Sequence, residues 1–497
     1  AVSAAGPLLT VLGFIILPLV WSVPEALVTA ELSTAFPENS GYVAWVTAAF
    51  GPYWGFLEGL WSWLSGVTDN SLYPVMLAAN LQLFFPVLGE EGPTRSIFVV
   101  GLCLALSYFN YRGLTVVGHS LVASALAVLL PFVLMSALAI PKVRPANWTV
   151  VDWDTVNWGT FINVMFWNLN YWDSVSTLAG EVSNPSKTFP RAMLLAVLLV
   201  VVMYLVPALT ALGVAEPGAS GDDWGLGYYA KVAKDLGGSW LAVWVLFAAA
   251  FSQVGQYQAE MASDSYQLQG MAERGFLPLV LARRSPHGTP TLGIILSSAG
   301  VLVLSCLSFV EIVELLNAIY CLAELLEFAA FIWLRIAQPD LPRPYRVPLP
   351  TWGCILMLLP ASLLLMFVLV LPFANRSWTT VGATVGAIVL GIVLYPLLQV
   401  ARRRGWCEFS DFHFDADHVY GPRVPCSASW PEHNYGVVGV NGGSDEGEGE
   451  DGEREALLGE QVKVWKQSCD FSLSRETSSQ HPAQLSHRAL STPPAVA

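Results

Sequence analysis

The chain has 497 residues, 54% of them hydrophobic and 12% charged, with a formal net charge of −14. Soluble globular chains carry about 25% charged residues, so this composition excludes an ordinary soluble domain and points to a protein embedded in a bilayer. The acidic balance also argues against a nucleic-acid partner, for which a basic surface is expected.

Taken in chain order, hydrophobic spans fall at 7–33, 52–80, 95–111, 116–140, 158–180, 190–214, 237–262, 289–309, 312–337, 352–373 and 378–400. Segments of roughly 20 apolar residues cross ~30 Å of hydrocarbon as helices, and the short alternating strands of a membrane barrel are absent. The expected class is an all-α polytopic membrane protein with eleven spans. One alternating set of loops holds Arg112, Lys187, Arg191, Arg274, Arg283, Arg284, Arg335, Arg343, Arg346 and Arg402 to Arg404. The other holds only Arg95, Lys142, Arg144, Lys231, Lys234 and Arg376. The base-rich set is read as cytoplasmic. The two N-x-[ST] sequons, at Asn147 and Asn375, fall in the base-poor outer loops and are glycosylation candidates.

Beyond residue 404 the composition changes. "NGGSDEGEGEDGERE" is acidic and Gly-rich, and cannot bury a core. The expected organisation is a transmembrane domain over 1–404 and a disordered acidic cytoplasmic tail over 405–497. From residue 401 onward, 15 acids against 9 bases leave −6, so the membrane part carries the remaining −8. The tail contains "EREALL" (Glu453 to Leu458), which resembles an acidic dileucine sorting signal.

Charges inside the spans are of one sign. Every Lys and Arg falls in a loop, at a span end or in the tail, whereas Glu25, Glu58, Asp69, Asp173, Glu260, Glu324 and Glu327 lie within spans. An ionisable group at the bilayer centre costs at least ~2.5–3.5 kcal/mol, and by default it faces a cavity or a partner. With no basic partner in the spans, protonation, a polar cavity or a bound cation remain as ways to satisfy these acids. Such an interior suits a cationic substrate, protons, or both. Glu58 and Asp69, eleven residues apart, share one helix face. Glu31, near a cytoplasmic end, reads as a structural or gate residue, and Glu311 and Glu314 read as a solvated face. The seven His form no ligand cluster, the seven Cys no CxxC pair, and no nucleophile–base pair or phosphate loop is evident. No catalytic residue, metal or cofactor is therefore assigned, and the chain is read as a non-enzyme.

The stretch "FINVMFWNLNYWDSV" (161–175) places Asn163, Asn168, Asn170 and Asp173 among bulky aromatics. Asn is a poor helix former, and transporter sites lie where a mid-membrane helix is interrupted. Neither Gly nor Pro marks a break between Gly159 and Gly180. The residues leave open a broken helix lining a cavity or a continuous helix whose Asn side chains bond its neighbours.

Longer motifs carry a resemblance. "FPENSGYVAWVTAAFGPYWGFLEG" and "MFWNLNYWDSVSTLAGEVSNPSKTFPRA" resemble the amino acid–polyamine–organocation superfamily. "WSVPEALVTAEL", "WLSGVTDNSLYPV", "AEMASDSYQLQGMAERGFLP" and "PDLPRPYRVPLPTWG" are similar to the plant polyamine uptake transporters of its L-type amino acid transporter branch. The resemblance covers residues 6–400 but not the tail. It implies a leucine-transporter-like five-plus-five inverted repeat within twelve spans. The first of these, with its Gly-rich break, is expected before Gly6 and is missing from this sequence. It implies proton-coupled import of putrescine, spermidine and spermine, and of dications such as paraquat, by alternating access. The span around Trp167–Asp173 would be the broken sixth helix, Trp167 would cover the substrate, and Asp173 would attract its amine. Asn170 belongs to the same stretch. Ser65, Gly66, Asn70 and Tyr73 would line the third-span side, with Asp69 adjacent. Glu260 replaces an aromatic of bacterial putrescine and arginine exchangers, where an acid would suit a second amine. Glu25, Asp173 and Glu260 are the proton-coupling candidates. The expected partners are a small cationic substrate, protons and the lipid bilayer, in a monomer at the plasma membrane. A large neutral or cationic amino-acid transporter and a non-transporting sensor or partner subunit of the same fold remain the alternatives.

Overall fold

The computed structural model describes residues 1–82, 84–89, 92–216, 224–225 and 227–410. Most of the tail, including the "EREALL" motif, lies outside the described residues. The described chain is helical, joined by short loops, with one isolated β-bridge between Pro278 and Phe409. It begins with α1 (Val2–Leu17), kinked at Gly6, whose φ of 76° favours glycine. A single π-turn at Pro18–Ser22 carries the chain into α2 (Val23–Ala35).

Next come α3 (Tyr42–Phe50), α4 (Pro52–Asn70) and α5 (Leu72–Leu81). Proline stands in the first turn of α4, where its missing N–H costs nothing. The chain continues through α6 (Pro93–Tyr111), α7 (Leu114–Ala139), α8 (Trp158–Trp167), α9 (Pro185–Val214) and α10 (Tyr228–Gly237). It ends with α11 (Ser239–Glu273), α12 (Thr291–Leu304), α13 (Phe309–Ala337), α14 (Thr351–Ala374) and α15 (Trp378–Arg403).

Each expected span meets a helix or a helix pair. Among the described residues, seven helical segments are long and apolar enough to cross a membrane. The other four spans depart for visible reasons. The 52–80 span divides at Ser71 and carries Glu58 and Asp69, 158–180 breaks after Trp167, α12 has only 14 residues, and α6 holds polar residues. The span expected at 237–262 runs on to Glu273, because Ser263, Asp264, Gln267 and Gln269 are buried on neighbouring helices and need no apolar character.

Burial separates a centre from a rim. The most apolar stretch of α13 is 72% buried, whereas those of α7, α9 and α15 are 17% buried. The rim helices point Leu194, Leu195, Leu198 and Leu199 of α9, and Leu356, Leu359 and Leu363 of α14, outward. Such a belt is stable only against lipid. Trp153, Trp158, Trp352 and Trp378 stand exposed near helix ends, as interfacial aromatics do. The chain is an integral, multi-pass membrane protein. Around α13 pack α3, α4 and α14, and α11 lies against α4 and α7, so the buried acids of these helices converge.

Not every acid remains unpaired with a base. Glu31 is fully buried, and Arg335 donates to both of its oxygens, with Nε at 3.0 Å. Arg343 Nε lies 3.1 Å from Glu31 and the Val347 amide donates to it at 2.8 Å. Arg335, placed at a span end by sequence, thus reaches back into the protein. Glu314, read as solvated, is also buried, accepting from Asn375 Nδ2 at 3.0 Å. Glu311 instead forms a capping box with Ser308 at the start of α13.

Candidate functional site

The interruption in "FWNLNYWD" is real. Asn157 caps α8 by accepting from the Thr160 amide at 3.0 Å, and the helix ends at Trp167. A 3₁₀ segment begins only at Ser174 and runs to Glu181. Between them Tyr171 takes a φ of 66°, unusual for a residue other than glycine.

The freed backbone groups find partners elsewhere. Glu25 Oε1 on α2 accepts the amides of Trp172 at 2.6 Å and Asp173 at 3.3 Å. The Tyr171 amide donates to Tyr320 Oη at 3.3 Å. Ser22 Oγ and Trp172 Nε1 both donate to the Leu169 carbonyl. Asn168 folds back to donate to the Val164 carbonyl at 2.7 Å. Buried backbone must be satisfied in this way in a membrane. Side chains of α2 and α13 do here what water does outside, so the break needs neither Gly nor Pro.

Acids gather at this break. Asp173 is 2% exposed, and Tyr320 Oη lies 3.0 Å from its Oδ1 and 2.6 Å from Glu25 Oε1. A phenol has one hydrogen to donate, so both contacts are hydrogen bonds only if a carboxyl carries a proton. Glu324 brings a third carboxyl, with one oxygen from each of Glu25, Asp173 and Glu324 within 4.8 Å of the others. These hard oxygens are the donor type that cations prefer.

Asp173 also lines a small cavity with Glu260, Asp264, Tyr171, Tyr320 and Ser263. Its volume is about 10 Å³, room for a single water. Gly66 of α4 forms part of the same packing, since a Cβ there would stand 2.9 Å from Glu260 Oε1 and closer still to Asp264 Oδ1. Ser65 Oγ bonds Tyr171 Oη at 2.6 Å and donates to the Leu316 carbonyl.

The other expected site residues form a second group. Trp167 Nε1 donates to Asp69 Oδ1 at 2.7 Å, and Tyr73 Oη donates to Oδ2 of the same carboxyl. The Trp167 ring stands edge-on to Phe309, with centroids 5.5 Å apart, and does not line the cavity. Asn170 Nδ2 donates to Asn317 Oδ1 at 3.4 Å. Asn70 is fully buried, and neither of its amide atoms has a partner among the described residues.

The sequon side chains are engaged. Asn147 Nδ2 donates to the carbonyls of Leu212, Gly213 and Ala215, and Asn375 Nδ2 to Glu314. A glycan on either nitrogen displaces these bonds.

Of the cavity-lining residues missed in the sequence, two lie beside acids already singled out. Asp264 lies four residues after Glu260, one turn along the same face of α11. Tyr320 lies one turn before Glu324 on α13. Both were legible as i, i+4 partners of acids already singled out.

The model of the amino acid permease family matches residues 1–393. The chain belongs to this family. The permease is 52% identical over 410 residues to the polyamine transporter PUT1 of Oryza sativa subsp. japonica, covering 82% of this chain and 76% of that one. It is 52% identical over 407 residues to a probable polyamine transporter of Arabidopsis thaliana, covering 82% and 84%. It is 49% identical over 412 residues to the polyamine transporter RMV1 of Arabidopsis thaliana, covering 82% and 83%. The relatives' names describe transport and not catalysis, in keeping with a permease whose conspicuous buried groups are carboxyls and aromatics.

Proposed function

We propose that this permease imports polyamines such as putrescine, spermidine and spermine, with protons, by alternating access. The observation that carries the reading is the convergence of Asp173, Glu260 and Asp264 on one cavity at a broken helix. Among the described residues, no salt bridge to Lys or Arg engages any of the three. An ammonium group supplies the missing counter-charge, and a polyamine supplies several at methylene spacing. The rings of Tyr171 and Tyr320, 4.6 Å apart, offer π-faces to the same cation.

The cavity is too small for such a chain, so binding requires the helices around it to part. Opening toward one side and then the other is the movement expected around a mid-membrane site. Trp167 and Asp69, bonded to each other beside the cavity, are the groups positioned to move with it. Proton coupling is supported by the Glu25–Tyr320–Asp173 arrangement, where one phenol lies against two carboxyls. The plasma membrane and a monomeric state complete the reading.

The test is uptake of labelled spermidine and labelled leucine in transporter-deficient yeast, at acid and neutral external pH. Saturable spermidine uptake that rises at acid pH supports the proposal. Leucine uptake without spermidine uptake overturns it in favour of amino-acid transport.

A further inference from the structure

The buried acids do not stop at the cavity. Glu324 and Glu327 continue along α13 from Tyr320 toward the base-rich end of the helix, and Glu58 faces them from α4. All three are at most 1% exposed. None of them enters the polyamine site as a lining group.

Glu25 and Asp173 bring carboxyl oxygens within 4.8 Å of each other, and Glu58 faces Glu327 across the contact of α4 with α13. Two ionised carboxylates cannot hydrogen-bond to each other, because each is only an acceptor, so either pair is bonded only while it carries a proton. Between the pairs stands Glu324, one turn after Tyr320 and one turn before Glu327, with a carboxyl oxygen within 4.8 Å of those of Glu25 and Asp173. Glu25 Oε2, Glu58 Oε2, Glu324 Oε2 and Glu327 Oε1 are buried oxygens that no N–H or hydroxyl donor reaches. An orphaned buried oxygen is costly, and a proton that visits it removes that cost.

Among the described residues, the surroundings supply no competing cation. From α2 the facing groups are Glu25 and Glu31, from α3 Tyr42, from α4 Glu58 and Asp69, and from α11 Glu260 and Asp264. On α13 itself stand Tyr320, Cys321, Glu324, Glu327 and Arg335, and Cys354 lies on α14. Arg335 is bonded to Glu31 at the end of the helix.

We propose that Glu324, Glu327 and Glu58 form an inward proton relay, which passes a proton from the Glu25–Asp173 pair to the cytoplasmic side. In each cycle the Glu25–Asp173 pair gives a proton to the Glu324 carboxylate beside it. Glu324 passes its proton to the Glu327–Glu58 pair, which releases one inward. The Glu25–Asp173 pair regains its proton from the outer side, so every group returns to its starting state and one proton has crossed. From the level of Tyr320 to Glu327 the path covers about 10 Å along the helix axis. The relay rests on the proton-coupled reading of the permease.

Two assays on the same liposomes separate the relay from that reading. One measures spermidine accumulation driven by an acid exterior. The other measures exchange of labelled for unlabelled spermidine at equal pH, which needs no net proton release. Glu327→Gln and Glu58→Gln are each expected to retain exchange within about twofold, while accumulation falls to an inside-to-outside ratio of about one, since coupling is lost. Exchange also reports that the variants are folded. Accumulation preserved in both variants overturns the relay and leaves proton coupling standing. Loss of exchange in both also overturns it, by making the pair part of the binding or folding machinery. A wild-type protein whose accumulation ignores the pH gradient removes the proton-coupled reading itself, and the relay with it.

Discussion

Glu25 Oε1 accepts the backbone amide of Trp172 at 2.6 Å, across 147 positions of sequence. A carboxyl on α2 thereby holds the unwound end of α8 in place, and the same oxygen accepts from Tyr320. One atom joins the break, the buried phenol and the acid that faces the cavity.

Glu25→Ala leaves the Trp172 and Asp173 amides without their acceptor. Each orphaned buried group costs about 1–3 kcal/mol, so the variant is expected to unfold at lower temperature in a thermal-shift assay in detergent. Glu25→Gln keeps an acceptor oxygen and is expected to recover most of that stability. A Glu25→Ala protein as stable as wild type would show that the break is held by other contacts.

Gly66→Ala places a methyl group against Glu260 and Asp264. The expected outcome is normal amounts of protein at the membrane with a raised KM for spermidine, because the acids must shift from the cavity. An unchanged KM would place the binding acids elsewhere.

Arg335→Ala takes both of its hydrogen bonds from buried Glu31 and leaves Arg343 as the remaining base beside it. Breaking a buried pair costs up to about 3–5 kcal/mol, so this variant is expected to be less stable than wild type. Adding Glu31→Gln should restore part of the loss, and a double-mutant cycle of thermal stabilities measures how much. Additive losses would contradict direct coupling between the two residues.

Trp167→Phe keeps an aromatic ring at the end of α8 but removes the donor to Asp69. Tyr73 still reaches that carboxyl, so stability is expected to change little while spermidine uptake slows. Asp69→Asn should produce a defect of similar size in the same uptake assay. Full activity in both would remove this pair from the transport cycle.

Hydropathy locates the helices of membrane length, since apolar runs of that length have few other solutions, while the short α3 and α10 lie between expected spans. The acids of the site were also visible, because an unpaired carboxyl in such a run demands a cavity or a proton. The break was not decidable locally. Its donors and acceptors come from Glu25 and Tyr320, far away in sequence, and no Gly or Pro announced it. Asp264 was harder to see because hydropathy falls at residue 262, where α11 becomes polar yet stays buried among its neighbours. The Glu31–Arg335 bond was hidden for a related reason: a base at a span end gives no sign of which way its side chain reaches.

The most direct measurement is the initial rate of labelled spermidine uptake by Asp173→Asn beside wild type, at matched surface amounts. The substitution preserves shape and removes one charge from the cavity. Losing a buried charge partner costs about 2 kcal/mol or more, so uptake at low substrate is expected to fall about thirtyfold or further. Uptake equal to wild type would contradict the claim that the acids at the broken helix hold the polyamine.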